Sequence, residues 1–77
     1  MGKPHTVRWT HHALERLESA GLVPSDVEDA LLEGHARRLA NTRAADWLLL
    51  VGPFAIAYNH PDSGDVSTAR IVTVYRP

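Results

Sequence analysis

The chain has no cysteine in its 77 residues, one lysine (Lys3), and no apolar stretch longer than a strand, with Trp47 to Val51 typical of its runs. The missing cysteines exclude a disulfide framework, a zinc-thiolate or iron-sulfur site and a thiol nucleophile. A secreted domain this short usually needs such staples, so a reducing cytoplasm is expected. Apolar runs far below the ~20 residues of a membrane span exclude a transmembrane helix, and Met1-Gly2-Lys3-Pro4-His5, with no apolar segment behind it, is not expected to be a signal peptide. The formal net charge of -1 gives no global attraction to nucleic acid.

What is present reads as one domain over residues 1–77. At 44% hydrophobic and 22% charged, the composition is that of an ordinary globular chain, and this length supports a single core. The charge is unevenly placed. Between Leu14 and Glu33, Glu15, Glu18, Asp26, Glu28, Asp29 and Glu33 face Arg16 alone, whereas Arg37, Arg38, Arg43, Arg70 and Arg76 outnumber Asp46, Asp62 and Asp65 after Gly34.

Val7-Arg8-Trp9 reads as a short strand. Thr10 is then a good N-cap, with Trp9 and Leu14 placed for a hydrophobic staple, so a first helix should begin at His11. Ala13, Leu14, Leu17 and Ala20 form its apolar stripe, and Gly21 sits where a left-handed glycine ends a helix, with Leu22 able to fold back on Leu17. Ser25-Asp26-Val27-Glu28 matches a capping box, which predicts a second helix running to Gly34 with Val27, Ala30 and Leu31 buried. Beyond Gly34 the period becomes strand-like. Arg37 to Asn41, Asp46 to Val51, Phe54 to Tyr58 and Ser67 to Arg76 are predicted strands, separated by the Gly52-Pro53 turn and the Pro61 to Asp65 loop. The expected class is α+β: a short N-terminal strand, then a two-helix hairpin packed on an antiparallel sheet of three to four further strands.

His12 and Arg16 lie four apart on the first helix and share a face. With Leu17 at the centre of the buried stripe, they fall roughly 140° and 100° to one side, a rim position. A neighbouring guanidinium favours a neutral imidazole, which suits a base working near neutrality, although an exposed pair on a solvated flank fits the pattern too. His5, His35 and His60 have no ligand spacing, so no metal site is expected. In the final strand Ile71, Thr73 and Tyr75 alternate with Arg70, Val72, Val74 and Arg76, and either set fits the buried face. If Val72 and Val74 are buried, Thr73 and Tyr75 present two hydroxyls on the open face, where Arg37, Arg38 and Arg43 could add planar, bidentate phosphate contacts. Salt bridges to the acidic helices are an equal use for these arginines.

Thr10-His11-His12-Ala13-Leu14-Glu15-Arg16, the turn Gly21-Leu22-Val23-Pro24-Ser25-Asp26-Val27 and the closing Ile71-Val72-Thr73-Val74-Tyr75-Arg76 resemble a bacterial group of domains of unknown function. Its members open with S/T-x-H-A-x-x-R, enter a second helix through a similar turn, and close on a TvY strand. That group is similar to the RelE/ParE-like toxins, within the ribonuclease fold shared with barnase, EndoU and colicin nucleases. The resemblance implies two helices on an antiparallel sheet and, in active members, RNA cleavage needing no metal or cofactor: a ribose 2′-hydroxyl attacks the adjacent phosphate while side chains move protons and stabilise charge. Carried over by motif, His12, Arg16, Thr73 and Tyr75 are the expected catalytic set; Arg37, Arg38 and Arg43 are assigned to RNA binding by charge and position alone. Expected partners are RNA, including ribosome-associated RNA, and a small antitoxin-like protein. The chain departs from those toxins in charge, since they are commonly strongly basic. A non-catalytic protein-interaction module on the same fold is therefore the alternative expectation.

Overall fold

Thr10 determines how the N-terminal strand gives way to the first helix. In the computed structural model, which describes residues 4–40, 45–61 and 66–76, its backbone is extended, with φ -76° and ψ 160°, and its Oγ1 accepts from the Ala13 amide at 3.0 Å. The same hydroxyl donates to the Val72 carbonyl at 3.1 Å, and the Thr10 amide donates to the Ile71 carbonyl at 3.1 Å. One residue thus caps helix α1 (His11–Ser19) and ties strand β1 (Thr6–Trp9) to the last strand. Helix α1 ends as its glycine predicts. Gly21 has φ +69°, its amide reaches the Glu18 carbonyl, and the Leu22 amide reaches the Leu17 carbonyl, the paired bonds of a Schellman motif.

Helix α2 (Pro24–Gly34) begins earlier than the capping box predicts. Val23 is its N-cap, with no side-chain cap bond, and Pro24 occupies the first turn, where a missing N–H costs nothing. A short 3-10 turn, His35–Arg37, takes the first residue of the segment expected to open the sheet, and within that segment β2 is Leu39–Ala40, with Asn41 outside the described residues. Strands β3 (Trp47–Val51), β4 (Phe54–Asn59) and β5 (Thr68–Tyr75) follow.

The five strands are ordered β1-β5-β4-β3-β2. Strands β2 to β5 are antiparallel neighbours, whereas β1 runs parallel to β5, which makes the sheet mixed. Both helices cover one sheet face, burying Ala13, Leu17, Val27 and Leu31 against Leu49, Ile56, Tyr58, Ile71 and Val74. At ~1.5–3 kcal/mol per large apolar side chain, this layer dominates the favourable side of folding. Glu28 fastens the layer from above, accepting the Trp9 indole N–H at 2.8 Å.

Neither alternation expected for the last strand describes it. Ala57 pairs with Thr73 and Tyr58 with Ile71, so β5 carries an extra residue at Val72. This bulge inverts the side-chain order, and Ala69, Ile71 and Val74 all enter the core while Thr73 and Tyr75 stay half-buried. Strict period two could not reveal it.

Candidate functional site

The bulge and the early end of β1 together create a cleft. β1 pairs with β5 only as far as Ile71, so beyond it the outer edge of β5 is flanked by helix α1 rather than by a strand. Between them lies an open cleft of about 320 Å³ lined by Arg16, Ser19, Ala20, Val74, Tyr75 and Arg76. The polar residues of its lining carry two guanidiniums, a serine hydroxyl and a phenol. Because the cleft sits at a strand edge, the adjacent residues Tyr75 and Arg76 both reach it although they belong to opposite faces. The Arg76 guanidinium lies over the Phe54 ring at 5.3 Å, which holds it at the mouth.

The expected catalytic residues fall around this cleft to different degrees. Arg16 and Tyr75 line it together. His12 is exposed one helical turn before Arg16 on the same flank, outside the lining. Thr73 is half-buried two residues before Tyr75 and likewise outside it. Among the expected RNA-binding residues, Arg37 is exposed on the 3-10 turn, and Arg38 is engaged within the fold, donating to the His35 carbonyl at 3.2 Å and stacking 4.1 Å over Trp47. Arg38 and Trp47 stand at the end of the sheet opposite the cleft. Arg43 lies outside the described residues.

Sequence reasoning missed Ser19 and Arg76 in the cleft, and it missed a buried polar cluster altogether. His35, Tyr58 and His60, scattered in sequence, meet beneath the end of α2. The His35 Nδ1 and the Tyr58 hydroxyl are 3.0 Å apart, and the His60 ring stands nearly perpendicular to both of the others, with centroids 5.5 Å from His35 and 5.8 Å from Tyr58. Burial, aided by the Arg38 and His60 charges, holds the His35 imidazole below its usual 6.5. Burial pushes the Tyr58 phenol up to about 12 against the opposing pull of Arg38. The neutral imidazole and the protonated phenol share one hydrogen bond, whose direction is set by the His35 tautomer. His60 Nδ1 donates to the Thr68 carbonyl at 3.0 Å. This leaves its Nε2 buried without a partner, and Arg38 Nε is in the same position. No periodic signal joins residues 35, 58 and 60; only the packing of the end of α2 against the end of β4 does.

A second hollow, about 170 Å³ between α2 and the β3-β4 end of the sheet, is lined mainly by apolar side chains, including Leu22, Val27, Phe54 and Val74. It offers packing space and little chemistry. No group of three or more His, Cys, Asp or Glu side chains able to hold a metal ion occurs among the described residues, and none of the helices described is long and apolar enough to cross a membrane. No protein family, curated protein or solved structure matches the chain.

Proposed function

We propose that the protein is a toxin-like endoribonuclease whose active site is the cleft between α1 and the free edge of β5. The observation that carries this reading is the convergence of Arg16, Arg76, Ser19 and Tyr75 on one opening. Two guanidiniums beside hydroxyl donors match a phosphodiester, whose planar pairs of oxygens accept bidentate N–H bonds. The resemblance of the α1 and β5 motifs to the RelE/ParE-like group agrees with the placement.

In the proposed reaction the ribose 2′ oxygen forms a bond to the adjacent phosphorus and the bond from phosphorus to the 5′ oxygen breaks. The products are a 2′,3′-cyclic phosphate and a 5′-hydroxyl. His12, one turn along the flank from Arg16, takes the 2′ proton from a nucleotide seated over the cleft mouth. Arg16 and Arg76 stabilise the charge that grows on the phosphoryl oxygens. Tyr75 orients the phosphate and supplies a proton to the leaving oxygen, with Thr73 positioning the neighbouring sugar. The test is single-stranded RNA with the purified protein and with Arg16→Ala, Tyr75→Phe and His12→Ala. Each variant should keep the wild-type melting temperature and lose cleavage by a factor of ~10² or more. Intact RNA with the wild-type protein would refute the reading.

One observation favours a second reading, a protein-interaction module. Leu39 and Leu50 are 52% and 53% exposed on the sheet face that the helices leave open. RNA left intact by the wild-type protein, together with a stoichiometric protein partner that is lost in Leu39→Gln, Leu50→Gln, would favour this reading.

A further inference from the structure

Val7 and Trp9 pack toward the core from β1, and Ala69 and Ile71 do so from β5, so the residues between them point to the open face. These are Arg8 and Arg70, which are register partners in the parallel pair. Both are exposed. Neighbouring strands lie about 4.8 Å apart, which places two guanidinium side chains next to each other. Neither has an ion-pair or hydrogen-bond partner among the described residues. Thr6 and Thr68, also register partners, occupy the next position on this face, and Asn59 pairs with Arg70 from β4. Asn59 uses its carbonyl oxygen to accept the Asp46 amide, so its side-chain N–H donors take no part in that bond. Asp46 itself stands two strands from Arg70, at the far end of the row.

Like charges directly opposite each other in a sheet are destabilising. Here an arginine pair with no ion-pair partner among the described residues sits among hydroxyl and amide groups, an arrangement suited to an anion. Its position specifies which one. Arg70, Thr73 and Tyr75 lie on the same face of β5, and Tyr75 opens into the cleft. At ~3.3 Å per residue, five residues separate Arg70 from Tyr75 by roughly 16 Å.

We propose that Arg8 and Arg70 form a second phosphate subsite, gripping the backbone of the same single-stranded RNA whose scissile phosphate occupies the Arg16-Tyr75-Arg76 cleft, with Thr73 on the path between them. The proposal rests on the cleft being an RNA site. It makes a strand long enough to bridge both ends of β5 a tighter-binding substrate than a dinucleotide, which reaches the cleft alone.

The test compares wild type, Arg8→Gln/Arg70→Gln and Arg16→Ala on a long single-stranded RNA and on a dinucleotide. Removing two phosphate contacts should lower the slope of log affinity against log salt by about 1.4 for the long RNA, since each contact to a single strand contributes ~0.7. The same variant should cleave the dinucleotide at the wild-type rate and melt no lower than wild type, because the like-charge contact is gone. An unchanged salt slope, an equal loss of dinucleotide cleavage, or competition for the arginine pair by acidic peptide but not by RNA would overturn the subsite. If wild type binds the long RNA through Arg8 and Arg70 but cleaves neither substrate, the endonuclease reading fails and the subsite stands.

Discussion

At the scale of single residues, the His35-Tyr58 hydrogen bond is the most consequential polar contact inside the protein. His35 is 4% exposed and Tyr58 is fully buried, so neither can replace the bond with water. Tyr58→Phe should destabilise the fold by ~1–3 kcal/mol, measured by urea unfolding, because it leaves a buried imidazole nitrogen unsatisfied. The pair also gives stability a pH dependence at both ends. The folded His35 holds its proton less tightly than the unfolded chain does, so its contribution is complete above the usual 6.5 and declines as pH falls below that value. For Tyr58 the folded value is raised, so its contribution is complete below the usual 10.0 and is lost as pH rises toward about 12. In Tyr58→Phe the loss of stability between pH 10 and 12 should be smaller than in wild type, as read by melting temperature in that range. An unchanged alkaline profile would contradict the buried-phenol account.

At the scale of elements, the joints of the fold are where stability is most exposed to substitution. Thr10→Ala removes the α1 cap and the bond to the Val72 carbonyl together, and a loss of about 1–2 kcal/mol in urea unfolding is expected, with Thr10→Ser close to wild type. Gly34 has no left-handed backbone, yet it has no room for a side chain. A Cβ there would stand 3.0 Å from Leu49 Cδ2, so Leu49, 1% exposed, would have to shift within a packed core. Gly34→Ala should therefore cost ~1–3 kcal/mol through overpacking. These joints also mark what was legible in the sequence. The Thr10 cap, the Gly21 stop and the Ala13 and Leu17 part of the stripe are local signals that define α1, whereas Leu14, expected on the same stripe, is 44% exposed. The α2 start at Pro24 is a local proline signal that the capping-box reading passed over, whereas the mixed sheet and the Val72 bulge depend on pairing between distant segments, which periodicity does not encode. The site divides in the same way. Arg16 and Tyr75 were legible as candidates from motif, but Arg76 joins them only because the cleft opens at a strand edge where both faces are accessible.

At the scale of the whole molecule, charge is distributed by layer. The acidic residues Glu15, Glu18, Asp29 and Glu33 are exposed on the helices, whereas Arg8, Arg70 and Arg76 lie on the sheet and at its end. A net charge of -1 thus coexists with a local cationic track along β5, and affinity for a polyanion would come from that track without a global positive field. The most direct measurement is cleavage of single-stranded RNA by the purified wild-type protein beside Arg16→Ala and Tyr75→Phe, with products resolved by end chemistry. The account predicts wild-type products ending in 2′,3′-cyclic phosphate and a loss of ~10² or more in both folded variants. Uncleaved RNA with wild type, or cleavage undiminished in the variants, would contradict it.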